Sequence, residues 1–175
     1  MRLAAVFLLA VAIFASNTQP RITRNQLLAM EKVSDDRVVH LDSDEPGSLL
    51  GLTRGVYLED YGAVFTAEVD LTPGIAPNPF RPNKPDLQKI KAKKQNRIIV
   101  LKQRMIETLV ASAGPLDSLP LDKKVALAVT IAYYHWEDVS GLPRQILIEA
   151  PRRVLVKGAA GDMAAVQKAV KVQEF

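Results

Sequence analysis

Val125 to Trp136 reads VALAVTIAYYHW, and it limits the fold more than any other stretch of the chain. Taken as a strand, it puts Val125, Leu127, Val129, Ile131, Tyr133 and His135 on one face. Ala126, Ala128, Thr130, Ala132, Tyr134 and Trp136 fall on the other. Neither face suits water, so the segment is expected to be an interior strand, dry on both sides. Its β-branched and aromatic residues favour a strand over a buried helix, which the periodicity alone leaves open. One face is bulky and the other is mostly alanine, which predicts helices approaching closely on the alanine side.

A chain of 175 residues is long enough for one well-filled core and short for two. With 48% hydrophobic and 24% charged residues it has the mix of a folded globular protein. There is no cysteine. Disulfides, thiolate metal sites, cysteine nucleophiles and lipid-anchored cysteines are excluded together. A formal charge of +4 suits an ordinary soluble protein about as well as a weak polyanion binder.

Met1 to Ser16, MRLAAVFLLAVAIFAS, has one arginine, an apolar run and a small-residue boundary in the order of a secretory signal peptide. The run is shorter than the roughly 20 residues that cross a bilayer, so a cleaved signal is expected and no permanent membrane span thereafter. The domain organisation is then a signal at residues 1–16 and a single α+β domain over 17–175. Export without cysteine points to a bacterial periplasm or exterior.

Along the rest of the chain, TRNQLLAMEKV at Thr23–Val33 predicts a short helix capped by threonine. RVVHL at Arg37–Leu41 is expected as an edge strand. The clearest hairpin runs from Val56 to Leu71 around Asp60-Tyr61-Gly62. On its second arm Glu68 and Asp70 share a face, a spacing for acid and base chemistry if that face lines a cleft; a solvated face is the commoner outcome. Thr72–Pro85 carries five prolines and is expected to be irregular. Asp86 then opens an amphipathic helix that stops near Gly114-Pro115. Arg144–Ala150, RQILIEA, is the expected antiparallel mate of the buried strand. Arg152–Lys157 leans to a helical turn, Asp162 caps a C-terminal helix, and KVQEF either frays or adds a short strand.

Lys89, Lys91, Lys93, Lys94 and Arg97 crowd the N-terminal half of the long helix. Cations there oppose the helix dipole, so the pattern calls for a reason. It is a candidate binding face for an anionic envelope polymer or an acidic envelope protein; a solvated lysine-rich face is the ordinary alternative. Nucleic acid fits poorly, because no aromatic residues interleave with the cations.

For catalysis the best candidates are His135, Glu137 and Asp138, at the expected end of the buried strand. A histidine followed by carboxylates two and three residues on is a weak constellation, although it would serve a small hydrolase. The chain has two histidines, so a zinc site would need both, His40 and His135, with Asp42 or Asp44. No metal or cofactor is expected. A nucleophile-elbow serine and a glycine-rich phosphate loop are both missing from the sequence.

The segments YLEDYGAVFTAEVDL, KAKKQNRIIVLKQRM, VALAVTIAYYHWED, GLPRQILIEAPRRVL and VQEF together resemble exported bacterial proteins of unassigned function. The resemblance implies compartment and bacterial origin, and carries over no site. The fold class expected is α+β: two β-hairpins forming one mainly antiparallel sheet, with the long amphipathic helix packed on one face. The function expected is a non-enzymatic periplasmic or extracellular binding or assembly protein.

Overall fold

A computed structural model describes residues 22–41, 47–74 and 86–175. The signal segment and most of the proline-rich stretch lie outside those residues. The order is helix α1 (Arg24–Val39), strands β1 (Ser48–Leu58) and β2 (Gly62–Asp70), then helix α2 (Leu87–Ala111). Strands β3 (Lys124–Ile131) and β4 (Gln145–Pro151), helices α3 (Arg152–Ala159) and α4 (Met163–Ala169), and strand β5 (Lys171–Glu174) follow. The five strands lie side by side in chain order.

The fold is α+β, and the sheet is mixed. Both hairpins form: β1 pairs with β2 and β3 with β4, each antiparallel, and β5 adds antiparallel to β4. The two halves join through a parallel pair, β2 with β3, because α2 carries the chain back across the sheet between them. The turn before β2 requires glycine. Gly62 has φ +134°, and a Cβ there would lie 2.0 Å from the Lys124 carbonyl oxygen.

The expected mate of the central strand is in place, with Val125 opposite Ala150, Leu127 opposite Ile148 and Val129 opposite Ile146. Three expectations about that strand need correction. It ends at Ile131, and Ala132–Trp136 leave the sheet. Nor are both faces dry. Val125, Leu127, Val129 and Ile131 pack with Leu27, Met30, Ile98, Leu101, Met105, Leu109 and Leu155, so the helices sit on the bulky side. On the alanine side Ala126 is buried, Ala128 is half-buried and Thr130 is exposed. The large side chains have apolar area to remove from water and the alanines have little, so burial selects the opposite face from the one close approach suggested.

RVVHL is also corrected: it is no strand, since Arg37–Val39 finish α1 and His40 is its C-cap. Leu27, Met30, Glu31, Ser34, Val38 and Leu41 form the buried stripe, and the glutamate and serine within it obscure the apolar period. Thr23 caps this helix in a reciprocal box with Gln26. The Arg152–Lys157 turn, the Asp162-capped helix and a strand in KVQEF all form.

Candidate functional site

Where β3 ends, the chain turns over α2, and four of the sequence-predicted residues, Lys91, Lys94, Glu137 and Asp138, meet there. They meet as partners of one another. Lys94 Nζ lies 2.6 Å from Glu137 Oε2, and their side chains are 0% and 4% exposed. The same ammonium donates to the Ala132 carbonyl at 3.1 Å and sits 4.6 Å above the centre of the Tyr133 ring. One turn earlier, Lys91 Nζ donates to Asp138 Oδ2 at 2.8 Å and to Ser140 Oγ at 2.6 Å. The bond from Lys91, helped by Ser140, holds the Asp138 carboxyl well below the usual carboxylate range. Burial pushes the Tyr133 phenol up to about 12, while its hydroxyl donates to the Pro143 carbonyl at 2.8 Å. The crevice between Leu87, Ile90, Lys91, Lys94, Glu137, Asp138 and Leu142 leaves no room for a water molecule.

This arrangement supplies the reason for a basic N-terminal half in α2. Two of its lysines neutralise the carboxylates of the following loop, and Lys102 does the same for Glu174 of β5 at 2.6 Å. Of the other predicted binding residues, Lys89 is exposed, Lys93 is half-buried and Arg97 is buried. His135 is exposed, and neither carboxylate beside it in sequence is available to it, since each is held by a lysine. Among the described residues no three His, Asp or Glu side chains gather as a metal would require, and no helix is long and apolar enough to cross a membrane. Asp42 and Asp44 lie outside the described residues.

The face of the sheet that no helix among the described residues covers, the helix-free face, is the second region. Alternation puts Arg54, Val56, Val64, Thr66, Glu68, Ala126, Ala128, Thr130, Gln145, Leu147 and Glu149 on it. At one end the polar groups are matched. Lys124 Nζ is 2.9 Å from Glu149 Oε1, and the Tyr61 hydroxyl donates to Glu149 Oε2. That hydroxyl, then Lys124, lowers the Glu149 carboxyl, and burial followed by the same bond raises the Tyr61 phenol.

At the other end Gln145 Nε2 donates to Thr130 Oγ1 at 3.4 Å, but Arg54 and Glu68 have no partner among the described residues. Register shifts in β1 between Leu49 and Arg54 open the sheet into a shallow depression of about 290 Å³, lined by Gly51, Leu52, Arg54, Thr66, Ala67, Glu68 and Thr130. Asp70, the partner the sequence suggested for Glu68, is buried and occupied. Its Oδ1 accepts from Thr72 N at 2.8 Å and its Oδ2 from the Tyr134 hydroxyl at 3.2 Å. Tyr134 in turn stacks on Trp136, ring centres 5.4 Å apart and planes 7° from parallel. Sequence reasoning missed Arg54, Thr130 and the Tyr134–Trp136 pair as surface groups, having placed the aromatics inside an uninterrupted strand.

Comparison with protein-family models, with characterised proteins and with solved structures returned no match to this chain.

Proposed function

We propose that this chain is a non-enzymatic binding or assembly protein exported to the bacterial periplasm or exterior, and that it works through the helix-free face of its sheet. The observation that carries this reading is that face itself: a broad surface with Val56 and Leu58 exposed along β1 and an open depression beside them. Export rests on the Met1–Ser16 pattern, and bacterial origin on the resemblance noted above.

The rival, a small hydrolase using His135 with Glu137 or Asp138, has no observation in its favour, since both carboxylates are lysine-bound. Adhesion to an anionic polymer through Lys89–Arg97 is also disfavoured, because Lys94 is buried against Glu137 and Lys91 is paired with Asp138. Reversing their charge would unlatch a loop and so confuse the test; Lys89→Glu is the clean variant.

The reading is tested with the mature protein immobilised and washed with periplasmic extract, wild type beside Val56→Lys/Leu58→Lys. Retention of a partner by wild type, lost in the double variant at unchanged thermal stability, is the expected result. A monodisperse monomer that retains nothing, or retains the same material in both forms, overturns it.

A further inference from the structure

We propose that the unmatched end of the helix-free face binds a neutral saccharide chain; this deepens the binding reading above and rests on it. Two observations concern the depression itself, and a third concerns the chain just past it. Arg54 and Glu68 are exposed, and neither forms a hydrogen bond or ion pair with any described residue. They stand on two sides of the same depression, with Thr66 opposite Arg54 in the ladder and Thr130 opposite Glu68. Two residues past Glu68, on the same side of β2, Asp70 holds the hydroxyl of Tyr134, whose ring is stacked on Trp136 and remains 39% exposed with its residue.

A sugar ring has a flat patch of C–H bonds and a rim of hydroxyls. Stacked aromatic rings take the patch, because the ring face is apolar and carries a negative quadrupole that attracts C–H hydrogens. A guanidinium and a carboxylate take the rim, since each engages two adjacent hydroxyls at once, the first donating and the second accepting.

Charge narrows the class. Arg54 and Glu68 cancel, so a polyanion such as single-stranded nucleic acid meets the Glu68 carboxylate where it would need a further cation. Depth narrows it again. Small-molecule pockets enclose most of their ligand, whereas this depression is open along the sheet and suits a chain lying across it.

Trp136 is the only tryptophan in the chain, so its emission reports on the site directly. The mature protein is titrated with cellotetraose, maltotetraose and N-acetylchitotetraose, with glucose, tetra-alanine and oligo-dT as controls, and binding is checked by calorimetry. At least one tetrasaccharide is expected to shift the emission saturably, with Kd on the order of 1 mM and binding at least about tenfold tighter than glucose. Arg54→Ala and Glu68→Ala each weaken it about tenfold, corresponding to 1.4 kcal/mol, while leaving the circular dichroism unchanged. Val172→Ser, on another strand, changes nothing. Failure of all three tetrasaccharides, wild-type affinity in both alanine variants, or saturation by tetra-alanine or oligo-dT instead overturns the proposal. If the sugars fail while a partner is still retained in a Val56/Leu58-dependent way, only the saccharide assignment falls.

Discussion

At the scale of single residues, Lys94 has the most demanding surroundings. A lysine in the apolar stripe of α2 breaks the pattern until Glu137 is placed against it. A buried pair of this kind contributes little net stability, but removing one partner leaves an uncompensated charge in a medium that solvates it badly. Lys94→Met is therefore expected to destabilise the fold by about 3–5 kcal/mol, and Glu137→Leu by a similar amount. The double substitution is expected to recover most of the loss. Urea unfolding of the four proteins checks this, and additive losses would show the pair is not coupled.

Tyr133, beneath the same ammonium, gives a pH dependence. Its folded-state value is raised to about 12, above the ordinary value near 10, chiefly by burial. A raised value means stability is fully present below pH 10 and is lost as pH rises from there through 12, because the unfolded chain releases the phenolic proton first. Alkaline titration of the tyrosinate absorbance should show a phenol that ionises near pH 12 when folded and near 10 in denaturant. Identical curves in both states would contradict the burial.

At the scale of elements, α1 shows how a polar residue on a buried stripe can be structural. Strand β1 is an edge, and its outward backbone groups are a template for unwanted pairing. Helix α1 covers them with side chains. Glu31 Oε1 accepts from Gly55 N at 2.8 Å and Asp35 Oδ1 from Thr53 N at 2.8 Å, while Arg24 donates to the Gly55 carbonyl at 3.3 Å and clamps Glu31 at 2.7 Å. Glu31→Ala is expected to cost about 2–3 kcal/mol, since it strands a buried N–H as well as deleting a bond. Sedimentation should also show concentration-dependent association through the uncovered edge. Glu31→Gln keeps an acceptor and is expected to lose less than half as much. An alanine variant as stable and monomeric as wild type would show that the edge is protected by other means.

At the scale of the whole molecule, the described helices pack on one side of the sheet, and the other side is the one proposed for contact. The helices, the core and the lysine–carboxylate latches lie on the first. The second carries the Tyr61–Glu149–Lys124 cluster at one end and unpaired Arg54 and Glu68 at the other. The charge that looked like a binding face in the sequence is spent largely on internal partners, and the surface with free polar groups is one that periodicity had filled with helices.

Much of this was readable one segment at a time. Both hairpins, the Asp162 cap, the glycine that opens β2 and the RQILIEA mate follow from local rules, because turn chemistry, capping and alternation act over a few residues. What the linear order does not contain is which groups from distant segments share one environment. Lys94 and Glu137, Glu31 and Gly55, and β2 and β3 meet only after α2 crosses the sheet, and the core lies where the largest apolar area meets. Local propensities set the elements, and the long-range competition for burial and for polar partners set the faces, the latches and the open end.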